Sequence, residues 1–107
     1  MGRHALVLGT ATYLRDRDLT GLPAVRHDVD QLKATLDHAG EFDSVEAHVD
    51  LTRSEFTTAL DQFYDARRQG DMALLYFSGH GVLHPDRSSL FLATTDTEGS
   101  QLHATLS

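Results

Sequence analysis

Three features of the sequence predict an α/β fold built on a mainly parallel sheet. Two short runs, Ala5 to Leu8 and Met72 to Phe77, are continuously apolar, as in strands buried on both faces. Two amphipathic helical patterns lie between them, and an alternating strand pattern separates those helices. The resulting order of strand, helix, strand, helix, strand calls for right-handed crossovers, with helices on the faces of the sheet. With 107 residues the chain has one domain's worth of core.

The first strand, Ala5-Leu6-Val7-Leu8, is too short for a helix and stops at Gly9. Residues 13–21 are polar and include Arg15, Asp16, Arg17 and Asp18, a solvated loop that delivers Pro23 to the first turn of a helix. Val25, Val29, Leu32, Leu36 and Ala39 then line one helical face, and Gly40 is placed to end it. Val45, Ala47, Val49 and Leu51 alternate with Glu46, His48 and Asp50, a period of two that predicts a second strand nearer an edge. Thr52-Arg53-Ser54-Glu55 has the form of a capping box, in which the first and last residues satisfy each other's backbone N–H groups. Phe56, Leu60 and Phe63 give the buried stripe of the second helix, which Gly70 is expected to close. Met72 to Phe77 is the most apolar run and is expected at the centre of the sheet. Beyond Ser78-Gly79-His80-Gly81 come a loop with Pro85-Asp86, a short hairpin return at Leu90 to Ala93, and a polar tail.

Composition narrows the function. The formal charge of −7 and a pI near 5.3 argue against nucleic acid or an anionic membrane as partner, since both demand clustered cations. No stretch reaches the roughly 20 apolar residues of a membrane span, and no signal peptide is evident, so a cytoplasmic location is expected. The absence of cysteine rules out disulfides, zinc-thiolate sites and any thiol nucleophile from within the chain.

In sheets of this kind ligands sit beyond the carboxyl ends of the strands. If the first and third strands are neighbours, residues 10–28 and Gly79-His80-Gly81 face one crevice. A histidine between two glycines at the end of a buried strand can serve as a general base, with bare backbone beside it for a substrate carbonyl. The pattern is equally open to a tight turn whose histidine only bonds to its neighbours.

Leu74-Leu75-Tyr76-Phe77-Ser78-Gly79-His80-Gly81 resembles the histidine motif of the caspase-like cysteine peptidases, and of metacaspases and paracaspases in particular. Ala5 to Gly9 with Tyr13, Leu22 to Leu36, and Phe91 to Asp96 are similar to further segments of that family, so the likeness runs over about residues 4–96. It implies a three-layer α/β/α fold, of which residues 1–107 form the N-terminal, large-subunit portion. It also implies that His80 is the catalytic histidine and that Gly81 lends its N–H to an oxyanion hole. Asp28 matches an aspartate that receives a substrate Arg or Lys in metacaspases and paracaspases, a pairing suited to bidentate guanidinium bonding. Cleavage after Arg or Lys, not Asp, is therefore expected. A solvated acid early in a helix is the other reading, and Asp30 fits it better than Asp28 does.

The family's nucleophilic cysteine lies on a fourth strand, which this sequence does not include. Three explanations are open: a processed fragment whose partner carries the cysteine, a boundary within a longer protein, or a relative that has lost the strand and works as an interaction scaffold. The apolar third strand favours the first two, because a long apolar edge needs cover. No cofactor is implied; calcium dependence occurs in some metacaspases, but no residues here single it out. His80 and His84 are four apart across a loop, with no third metal ligand evident, and Gly9-Thr10-Ala11-Thr12 has too few glycines to cradle phosphate. Gly9-Thr10 also lacks the acidic residues of a phosphoacceptor domain. His4, His27, His38, His48 and His103 read as surface or strand residues.

Overall fold

The computed structural model of the chain describes residues 2–14, 19–83 and 90–97. The strands β1 (Arg3–Gly9), β2 (Ser44–Val49) and β3 (Met72–Ser78) form a parallel sheet in the order β2-β1-β3. Helix α1 (Ala24–Ala39) joins β1 to β2, and α2 (Arg53–Asp65) joins β2 to β3. A short antiparallel hairpin, β4 (Gly81–Leu83) with β5 (Leu90–Leu92), follows the sheet. The fold is the α/β architecture expected, and the first and third strands are indeed neighbours: Gly9 stands opposite Val49 on one side and Ser78 on the other.

The alternation of β1 divides the core into two layers. Val7 packs with Ala11, Val25 and Val29 beneath α1, where Leu32, Leu36, Val45, Ala47 and Val49 complete the layer. Leu6 and Leu8 pack with Phe56, Leu60 and Phe63 of α2, along with Phe77. The Phe56 and Phe77 rings meet edge to face with centroids 5.9 Å apart, a favoured arrangement for two aromatic quadrupoles. Each aliphatic side chain so buried stabilises the fold by about 1.5–3 kcal/mol relative to exposure. Gly9 is required by this packing, because a Cβ there would lie 2.6 Å from Val25 Cγ1 and 2.7 Å from Val29 Cγ2.

Caps set the helix ends. Thr52 Oγ1 accepts the Glu55 N–H at 3.2 Å while Glu55 Oε1 accepts the Thr52 N–H at 3.0 Å, the reciprocal pair read from the sequence. A third acceptor, Asp96 Oδ1, takes the Arg53 N–H at 2.8 Å, so the segment after β5 also caps α2. Gly40 closes α1, as expected.

Several expectations need correction. Helix α2 ends at Asp65 with Ala66 as its cap, not at Gly70. Gly70 instead serves a tight turn in which the Asp71 N–H donates to the Arg68 carbonyl and Asp71 Oδ2 accepts the Arg68 N–H. The second strand stops at Val49, because Asp50 has φ +62° and breaks the pleat. Leu51 consequently joins the α2 layer, while Val45, Ala47 and Val49 face α1. Among the described residues the central strand is β1, not β3. Met72, Leu75 and Tyr76 of β3 are 47%, 39% and 37% exposed, since β3 gains only β1 as a described neighbour. The loop at 15–18, His84, Pro85-Asp86 and the tail with His103 lie outside the described residues.

Candidate active site

Carboxyl ends of all three parallel strands converge on one edge. Thr10 continues β1 by donating its N–H to the Ser78 carbonyl at 3.0 Å, and Asp50 donates its N–H to the Gly9 carbonyl at 2.9 Å. Gly79 then turns the chain out of β3. A Cβ on Gly79 would stand 2.9 Å from both the Tyr13 hydroxyl and Phe77 Cζ, at a φ of +156° that disfavours side chains, so glycine alone fits.

His80 is held at two points. Its backbone N–H donates to the Tyr13 hydroxyl oxygen at 2.9 Å, and that hydroxyl donates onward to the Thr10 carbonyl at 2.8 Å. Its Nε2 lies 2.9 Å from the Thr20 carbonyl oxygen. A carbonyl can only accept, so the bond requires a proton on Nε2 and, in the neutral ring, leaves the lone pair on Nδ1. The Tyr13 ring lies against the imidazole with centroids 4.9 Å apart and a 59° tilt. Burial pushes the Tyr13 phenol up from its ordinary pKa, the His80 N–H lowers it in part, and the Asp50 carboxylate adds to the rise. At neutral pH the hydroxyl therefore keeps the proton it donates to Thr10.

Gly81 begins β4 opposite Leu92, and the Ala93 N–H donates to the His80 carbonyl at 2.9 Å. In an antiparallel ladder that bond makes Gly81 and Leu92 a non-hydrogen-bonded pair, so the Gly81 N–H is directed away from β5. A turned-out N–H one residue after a fixed imidazole can donate to an oxygen on which negative charge develops.

Asp28 is exposed in the second turn of α1. Val25 and Val29 of that helix pack against Gly9, which brings the Asp28 turn to the same edge as His80. The structure thus brings His80 and Gly81 together directly, and Asp28 shares their edge of the sheet without joining the hydrogen bonds that hold His80. Sequence reading missed three members of the arrangement. Thr20 acts through its carbonyl, which leaves no mark in residue type; Tyr13 enters the sequence pattern only as part of the family resemblance; and Asp50 occupies one polar position of an alternating strand pattern.

Among the described residues no three His, Asp or Glu side chains are placed to share a metal ion, and no helix is long and apolar enough to cross a membrane. Comparison with family models matches residues 2–104 to the caspase domain. The chain belongs to the caspase domain family. No curated protein matches it in a sequence search. Membership places this caspase domain among cysteine peptidases, with a protease-related function and protein substrates. The β2-β1-β3 sheet with one helix on each face is consistent with the α/β fold of that family.

Proposed function

We propose that this caspase domain supplies the histidine half of a Cys/His endopeptidase site that cleaves after Arg or Lys. The observation that carries the reading is the Nε2 contact with the Thr20 carbonyl, which fixes the tautomer and leaves Nδ1 as the base. The chain holds no cysteine, so the thiol comes from a segment or partner outside these 107 residues.

The chemistry follows from the geometry. Nδ1 takes the thiol proton, and the thiolate sulfur adds to the scissile carbonyl carbon. The oxyanion accepts the Gly81 N–H, while the imidazolium keeps its Nε2–H on the Thr20 carbonyl. Nδ1–H then protonates the leaving amine as the carbon–nitrogen bond breaks, giving a thioester; water, losing a proton to the same histidine, adds to that carbonyl, and the carbon–sulfur bond breaks to release the acid and return the thiol. Asp28 offers a carboxylate at the same edge for the guanidinium or ammonium of the residue before the scissile bond, and the net charge of −7 favours approach of a basic peptide.

A panel of fluorogenic peptides with Arg, Lys or Asp before the reporter, offered to the protein that unites this chain with its thiol-bearing segment, tests the reading. Turnover of the Arg and Lys peptides, reduced at least tenfold by Asp28→Ala through KM, is the expected result; a tenfold loss corresponds to about 1.4 kcal/mol of pairing. Turnover of the Asp peptide alone overturns the assignment of Asp28. The lack of a thiol within the chain also favours a non-catalytic interaction module, and complete inactivity toward all three peptides selects that second reading.

A further inference from the structure

Asp50 lies at the same edge and takes no direct part in the chemistry just described. It follows the last residue of β2 with φ +62°, a left-handed conformation that few L-residues adopt and that Asp tolerates better than most. Its Oδ1 accepts two successive backbone N–H groups, from Ala11 at 2.8 Å and Thr12 at 2.9 Å. Its Oδ2 pairs with the Arg26 guanidinium on α1, and its side chain is only 15% exposed. One residue therefore turns both its N–H and its carboxylate onto the segment that leaves β1.

That segment holds His80 from two sides. Thr12 leads into Tyr13, whose hydroxyl receives the His80 N–H. Ala11 offers its carbonyl to the Leu22 N–H at 2.7 Å, and Thr20, two residues earlier, offers its own carbonyl to Nε2. Both supports of His80 thus hang from the two residues that Asp50 fixes. A second tie runs from the Thr95 hydroxyl to the Thr12 carbonyl at 2.6 Å and a third from the Leu14 N–H to the Thr95 carbonyl at 3.0 Å, but among the described residues the N–H groups of Ala11 and Thr12 themselves are held by Asp50.

We infer that Asp50 is a positioning residue for His80, holding the Ala11–Thr12 loop so that the Thr20 carbonyl sets the imidazole tautomer. The inference rests on the reading of His80 as the general base. A shift of about 1 Å in such a support can lower a rate by about a hundredfold without touching the substrate. Substrate contacts stay in place, so the loss falls on kcat and spares KM.

The test joins nitrogen-15 NMR of the His80 ring to peptide turnover by the protein with its thiol-bearing segment. Asp50→Gly removes the carboxylate while relieving the left-handed backbone, and Asp50→Asn keeps an acceptor oxygen for the two N–H groups. The native ring is expected to carry its proton on Nε2. Asp50→Gly mixes the tautomers and lowers kcat about tenfold or more, with KM within about threefold, and Asp50→Asn restores both. Asp43→Ala is the control for general loosening: it removes a comparable tether, the Asp43 Oδ2 bond to the Arg3 N–H at 2.8 Å, at the opposite end of the sheet, and leaves the tautomer unchanged. If Asp50→Gly does not fold, Asp50→Ser, with a hydroxyl too short to bridge both N–H groups, decides in its place. A folded Asp50→Gly or Asp50→Ser with the native tautomer and kcat overturns the positioning role, as does an equal tautomer change in Asp43→Ala. Undiminished turnover by His80→Ala instead overturns the reading of His80 and leaves the tautomer measurement standing.

Discussion

At the scale of single residues, Tyr13 is the most informative side chain, because one hydroxyl both accepts from the His80 N–H and donates to the Thr10 carbonyl. Tyr13→Phe keeps the ring but leaves a partly buried N–H and a carbonyl unpaired, at a cost of about 1–3 kcal/mol. Urea denaturation at pH 7 reads that loss. The phenol also gives the pH dependence a sign. Its pKa is raised on folding, so the native state binds the proton more tightly than the unfolded chain. The associated stability is complete below about pH 10, the unfolded value, and is lost as pH rises through the folded one. Wild type is therefore expected to lose stability above pH 10 more steeply than Tyr13→Phe, and parallel pH profiles of the two contradict the account. His80 was legible in the sequence because glycine on both sides of a histidine at a strand end has few structural uses. The Thr20 carbonyl was not, since any residue type presents one.

Periodicity and caps display the individual elements in the sequence, except where one residue breaks the period. The Thr52–Glu55 box and the stripes of α1 and α2 follow from side-chain spacing that sequence displays directly. The end of β2 does not, because the left-handed turn at Asp50 is a backbone choice stabilised by partners 24 to 39 residues away. Likewise, Gly70 looked like a helix cap, yet a local turn through Asp71 uses it. The junction of α1 with β1 provides the sharpest test at this scale. Gly9→Ala places a methyl group within 2.7 Å of two stiff valine side chains, so α1 must lift from the sheet. A loss of about 1–3 kcal/mol by urea denaturation is expected. Because alanine otherwise suits a strand better than glycine, a variant as stable as wild type shows that the helix does not sit as described.

For the molecule as a whole, β3 is the strand that decides most, because it has a single described neighbour. Its sequence is that of a central strand, and the expectation failed only because its second edge meets no described strand. Leu75 on the α2 side and Tyr76 on the α1 side stay over a third exposed, so among the described residues apolar surface lies beside a row of backbone donors and acceptors that no strand pairs. The 107-residue chain on its own is expected to self-associate through β3, and Leu75→Lys to shift sedimentation toward the monomer; equal association by both excludes that edge as the cause. The parallel topology was legible because three strand patterns separated by two helices leave few ways to wind. Which catalytic groups meet at its edge depended on backbone atoms and on a loop anchor, neither of which a residue pattern records.

Whether His80 acts as the base of a cysteine peptidase is read from kcat/KM for an Arg-bearing fluorogenic peptide with wild type and His80→Ala, each united with the thiol-bearing segment. A fall of at least about a hundredfold on loss of the imidazole, at unchanged fold, is predicted. Equal kcat/KM for the two proteins contradicts it.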